Sequence, residues 1–197
     1  MRLLELFSGT GSVKKAVGNL FTEVVSIDIL QKFNPTECCD IMTWDFKKYP
    51  VGYFDCIWAS PPCTEYSKVL NGRPERPRDI LTANSIVEKT IEIIDYFKPT
   101  KWFIENPQTG LLKNQDIMLG IPFVDVDYCR YGFEYRKRTR IWTNVDYAGK
   151  LCDKNCGSFT NGRHLKSCGN GNYNIVGLHQ RYSIPSLLIQ ELFNSPV

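Results

Sequence analysis

The 197 residues include 43% hydrophobic and 23% charged side chains, with 24 Lys and Arg against 21 Asp and Glu for a formal net charge of +3. That composition excludes wholesale disorder and suits one domain around a single core, and no apolar run approaches the ~20 residues that span a bilayer. Glu5 interrupts the apolar start, so no secretory leader is expected; a cytoplasmic-type compartment (nuclear in a eukaryotic host) is, with the eight cysteines as thiols or metal ligands rather than disulfides.

Residues 3–7 read as a buried strand, followed by Ser8-Gly9-Thr10-Gly11 and a helix reaching about Leu20. A second buried strand covers 24–29 and a third covers 53–58, leading into Ser60-Pro61-Pro62-Cys63. Ile80, Ala83, Val87, Ile94 and Phe97 recur as one apolar stripe of a long helix, which Pro99 ends. Trp102-Phe103-Ile104 is a strand leading into Glu105-Asn106-Pro107, and 185–193 reads as a closing helix with Pro185 in its first turn. Alternating helices and continuously apolar strands imply an α/β fold: a mostly parallel sheet with helices on both faces. Four polar turns then converge outside the carboxyl ends of the strands, where such sheets bind ligands.

The segment 145–178 differs, because eleven of its 34 residues are Gly or Asn. It is expected to be a small irregular insertion, with 1–144 and 179–197 forming the main domain. Charge is uneven too. The stretch RYGFEYRKRTR (130–140) holds five basic residues and one acid, leaving −1 for the rest of the chain, which suits a local anionic partner.

The turns carry chemistry. Glycines at 9 and 11 let the backbone pass close to a ligand, and Asp28, about 20 residues on, can accept hydrogen bonds from a ribose; together they suggest an adenosine-containing cofactor. Two prolines stiffen the approach to Cys63, which as a thiolate is a ready nucleophile. Glu105 offers a carboxyl that can hydrogen-bond and protonate a cytosine-like ring. Arg138, Arg140 and Trp142 at spacing 2 share one face of a strand, where two guanidinium groups suit a phosphate or a polarised carbonyl.

LELFSGTGS, SID, SPPCTEYS, FIENP and RKRTR occur in the order found in the DNA (cytosine-5) methyltransferases, and HQRYSIPSLLIQELF resembles that family's last motif. The resemblance covers about 2–144 and 179–194. It implies a Rossmann-like fold that binds S-adenosylmethionine, with Phe7, Ser8, Gly9, Gly11, Asp28, Ile29, Asp40, Ile41, Ser60, Pro61 and Ser183 at the cofactor. Asp28 would hold the ribose and Asp40 the adenine amine. It further implies that Cys63 attacks C6 of a cytosine flipped out of double-stranded DNA, with Glu105 on the ring nitrogen and Arg138 and Arg140 as the paired arginines of a QxRxR motif. Thiolate addition makes C5 nucleophilic enough to take the sulfonium methyl group, and the loss of the C5 proton expels Cys63.

The chain departs from the pattern at Arg136, in the glutamine position, and at Tyr182, where asparagine is expected. The family's target-recognition region is cut to 145–178, which leaves room for a partner subunit that supplies recognition, for RNA as substrate, or for a catalytically silent nucleic-acid-binding role. Ser60-Pro61-Pro62 also resembles the SPPY motif of N4-cytosine methyltransferases, although Cys63 cannot stack on a base as the tyrosine does. Restriction-modification, a virus or a phage would each suit a chain of this size. Within the insertion, Cys152-x3-Cys156-x7-His164-x3-Cys168 supplies three thiols and an imidazole for a structural zinc.

Overall fold

The computed structural model describes residues 1–168 and 174–197; positions 169–173 of the Gly/Asn-rich 145–178 segment lie outside the described residues. The first half contains β1 (Arg2–Leu6), α1 (Ser12–Val17), β2 (Glu23–Asp28), β3 (Glu37–Cys38), β4 (Cys56–Ala59) and α2 (Ile80–Phe97). The second contains β5 (Lys101–Pro107), β6 (Phe123–Asp127), β7 (Arg138–Thr143), β8 (Phe159–Thr160), β9 (Arg163–His164), α3 (Leu178–Tyr182) and α4 (Ser186–Asn194). Among the described residues, no helix is long and apolar enough to cross a membrane.

Seven strands form one sheet in the order β3-β2-β1-β4-β5-β7-β6. The first five run parallel, β7 is antiparallel to β5, and β6 is antiparallel to β7. Apolar side chains fill both faces, as the continuously apolar strands require. On one face Leu4, Leu6, Ile57, Ile104 and Trp142 pack with Ala83, Val87, Ile94 and Phe97 of α2. On the other, Leu3, Trp58, Phe103 and Ile141 pack with Val13 and Val17 of α1 and Leu188, Ile189 and Leu192 of α4. The expected α/β architecture with helices on both faces is the observed one.

Local signals set the helix ends. Asp79 caps α2, its carboxylate accepting the Thr82 N–H at 3.0 Å, and the chain leaves α2 through Lys98 (φ 48), just before Pro99. Between β2 and β4 the chain makes 3-10 turns at Gln31–Phe33 and Phe46–Lys48 rather than a longer helix. The closing motif docks on α1, where Ile184 N–H donates to Ser12 Oγ at 3.1 Å, so the chain's end braces the helix that follows the glycine turn.

Candidate active site

The parallel registers align the ends of the strands. Leu6 pairs with Ile27 and Ala59, and Ala59 pairs with Ile104. The glycine turn, Asp28, the 60–63 turn and the Glu105 end of β5 therefore stand side by side at the carboxyl edge of the sheet, as expected. Two hydrogen bonds lock the row: Ser60 N–H to Leu6 O at 3.3 Å, and Asn106 Nδ2 to Pro61 O at 3.0 Å.

The glycine turn is tight, with Phe7 (φ 56), Gly9 (φ 47) and Gly11 (φ 67) all in the left-handed region. Asp28 clamps it. One carboxylate oxygen accepts Gly9 N–H and the other accepts Leu30 N–H, both at 2.8 Å. Asp28 thus shapes the turn first, and only its remaining lone pairs are open to a ribose. Ser8 is buried, and Ile29 beside Asp28 is 64% exposed, an apolar face at the mouth of the turn. Asp40 is exposed, one oxygen accepting Met42 N–H at 2.9 Å. The Ile41 side chain packs in the core on the α2 face of the sheet. Ser60 accepts the Trp58 indole N–H at 3.1 Å, and Ser183 donates to His179 O at 3.0 Å, closing the last turn of α3.

Cys63 lies within electrostatic range of Glu105 and Lys137. Glu105 is buried and held by two groups: Tyr128 OH donates at 2.9 Å, and Lys137 Nζ lies at 3.5 Å. Lys137 also donates to Arg181 O at 3.3 Å. Burial pushes the Cys63 thiol up, the Lys137 ammonium pulls it down, and Glu105 adds to the rise. Among the described residues, Arg181 Nε and Asn106 Oδ1 are buried without hydrogen-bond partners, and both belong to residues that brace this row.

Lys137 and Tyr128 were not among the expected site residues. Strand alternation carries a signal for Lys137: it has the parity of Thr139 and Ile141, opposite to Arg138. Because β7 pairs Ile141 with Glu105 and Arg140 with Asn106, that parity is the Glu105 side.

The same register places the arginines. Arg138 and Arg140 share a face with Trp142, as the spacing requires, but it is the face away from Glu105. Arg140 makes a bidentate pair with Asp125 at 2.7 and 2.9 Å and stacks 3.4 Å over the Phe123 ring. Arg138 is more exposed, 3.8 Å from Asp127. The cation beside Glu105 is Lys137.

The expected ligand set changes as well. Cys152, Cys156 and His164 do gather, but with Cys129 rather than Cys168. Cys168 stands toward the crevice, within electrostatic range of Cys63, Lys137 and Arg181.

The model of the C-5 cytosine-specific DNA methylase family matches residues 1–119. The chain is 33% identical over 98% of its length, and 99% of the relative's, to the "Probable DNA (cytosine-5)-methyltransferase" of Frog virus 3 (isolate Goorha). Its fold resembles the crystal structure of a protein assigned as a DNA modification methyltransferase encoded within an E. coli prophage, at 15% identity and a TM-score of 0.55. That likeness covers 75% of this chain, which spans about half of the other's length (49%). With the ordered motifs and their common edge, these relationships make the chain a member of the C-5 cytosine-specific DNA methylase family, a DNA (cytosine-5-)-methyltransferase that draws on S-adenosylmethionine as that family does.

Proposed function

We propose that the chain methylates C5 of a cytosine flipped out of double-stranded DNA, with Cys63 as nucleophile and Glu105 as the proton-bearing group. The observation that carries this reading is that Asn106 ties the Cys63 turn to the end of β5 at 3.0 Å, where the buried Glu105 carboxyl faces Lys137 at 3.5 Å, on the edge where the glycine turn also ends.

The residues fit the methyl donor. A Cβ on Gly11 would meet nothing nearer than Lys15 Cε at 4.0 Å, so the turn leaves open space, and Ile29 offers an apolar surface for an adenine ring. Phe7, Ser8, Gly9, Gly11, Asp28, Ile29, Asp40, Ser60, Pro61 and Ser183 are the residues that would hold it. Bound there, S-adenosylmethionine supplies an electrophilic methyl group.

The chain's own residues do the rest. The Cys63 sulfur, as thiolate, bonds to C6 of the ring while Glu105 gives its proton to N3, which leaves C5 electron-rich. After C5 is methylated, a solvent water takes the C5 proton, the C6–S bond returns its electron pair to sulfur, and Glu105 recovers the proton from N3. Lys137 brings the cation that favours the thiolate. Tyr128 and Lys137 hold the Glu105 carboxyl in one orientation. The 68–78 stretch after Cys63 (KVLNGRPERPR) carries four basic residues and one acid, a charge that suits a phosphate backbone.

Incubation with duplex DNA and labelled S-adenosylmethionine, followed by nucleoside digestion, is expected to yield 5-methylcytosine. N4-methylcytosine as product, or transfer to RNA in preference to duplex DNA, would overturn this reading.

A further inference from the structure

Beyond the methyl-transfer crevice, the 145–178 segment carries its own chemistry. Cys129, in the 3-10 turn Tyr128–Tyr131, meets Cys152, Cys156 and His164, and one donor atom from each lies within 4.8 Å of all the others. Cys152 Sγ is 3.4 Å from His164 Nε2. Around a tetrahedral zinc with bonds of about 2.3 Å to sulfur and about 2.0 Å to nitrogen, donors stand about 3.5–3.8 Å apart. The Cys152–His164 pair already stands at that spacing, and the remaining pairs need to close by no more than about 1 Å.

The surroundings suit a metal rather than an apolar core. Between 146 and 168 only Ser158 is buried, so hydrophobic packing cannot order this stretch. Lys154 N–H donates to Cys152 Sγ at 3.4 Å, the kind of donor a metal-bound thiolate uses, and Ser158 Oγ, which donates to Phe133 O at 3.3 Å, lies 3.4 Å from Cys156 Sγ. Lys154 (φ 71) is held in the left-handed region, which only a well-determined turn sustains in a non-glycine residue. The Asn161-Gly162 turn joins β8 to β9 and returns His164 opposite Phe159, the two rings 5.2 Å apart and edge-on.

We propose that Cys129, Cys152, Cys156 and His164 hold a structural zinc ion that clamps the insertion to the catalytic sheet. All four positions are filled by protein, the arrangement of a structural rather than a catalytic zinc. Three ligands come from the insertion, and Cys129 comes from the turn directly after β6. Asp127 reinforces the same seam, one oxygen accepting Cys152 N–H at 2.8 Å and pairing with Arg136 at 2.9 Å. Arg130 adds contacts to Asp153 at 3.3 Å and to Asn155 O at 3.1 Å. Tyr128, next to Cys129, is the group that donates to Glu105, so the clamp also steadies one wall of the methyl-transfer site.

Elemental analysis of protein expressed with zinc and then dialysed is expected to find one zinc per chain. His164→Ala and Cys152→Ser, both outside the core, should lose the metal, whereas Cys168→Ser should retain it. Cobalt put in place of zinc should give the thiolate charge-transfer and visible bands of a tetrahedral sulfur-rich site, and Cys129→Ser, with two of the three thiolates left, should weaken the charge-transfer band. Chelation should expose the insertion to protease while α2 and the sheet stay protected. A wild-type chain that is folded by circular dichroism yet metal-free after zinc loading would overturn the proposal. So would loss of zinc in Cys168→Ser with retention in Cys129→Ser. None of these readouts depends on methyl transfer.

Discussion

Replacing Glu5 with glutamine should change how the stability of this fold responds to pH. Glu5 sits within β1 at 2% exposure, and its carboxylate oxygens accept the N–H groups of Val13 at 3.2 Å and Lys14 at 3.3 Å, at the start of α1. Burial is the largest influence and raises its pKa from 4.5 to about 7, against those hydrogen bonds and the charges of Lys14 and Lys15. The folded chain thus keeps a proton that the unfolded chain releases, so this contribution is full below about pH 4.5 and is lost as pH rises through about 7. A rise of roughly 2.5 units corresponds to about 3 kcal/mol over the whole window, of which about 2 kcal/mol falls between pH 5 and pH 7.5. Glutamine does not titrate. Urea unfolding of both proteins at the two pH values should therefore show the glutamine variant gaining on the wild type by about 2 kcal/mol at the higher pH. Parallel pH dependence in the two proteins would refute a proton held at Glu5.

Two further substitutions separate the reacting groups from their neighbours. Lys137→Met removes the cation that lowers the Cys63 thiol, so the thiol should titrate higher still. The rising limb of the kcat/KM profile should then move to higher pH, with about a tenfold loss at pH 7 for each unit moved; an unmoved limb would remove Lys137 from this role. Arg140→Lys replaces the fork that grips Asp125 and stacks on Phe123, and should cost about 1 kcal/mol of stability while kcat stays within about twofold. A large fall in kcat with stability unchanged would instead return Arg140 to the reaction.

The features legible in the sequence were those whose meaning is local. Apolar runs ending in Ser8-Gly9, Ser60-Pro61 and Glu105-Asn106 gave parallel strands with functional turns, because each run and its turn need only their own residues to be recognised. Spacing correctly put Arg138, Arg140 and Trp142 on one face. Which face meets Glu105 depends on the antiparallel register of β7 against β5, which a single strand does not carry. Lys137 stayed hidden for the same reason, and Tyr128 because its partner lies 23 residues back. Cys129 escaped the ligand set because its ligand role arises only when the turn after β6 folds against the insertion, whereas Cys168 stood conveniently close in sequence. Ile41, placed by motif position, turns its side chain into the core, a direction that the motif alone does not carry.

The covalent role of Cys63 can be tested on a duplex carrying 5-fluorocytosine in place of cytosine. Fluorine cannot leave C5 as a proton does, so the C6–S bond should persist once S-adenosylmethionine has reacted. A stable protein–DNA adduct should form, which peptide mass spectrometry maps to Cys63 and which Cys63→Ala does not form. Methylation of ordinary duplex DNA at C5 with no trapped adduct, or an adduct on Cys168, would contradict it.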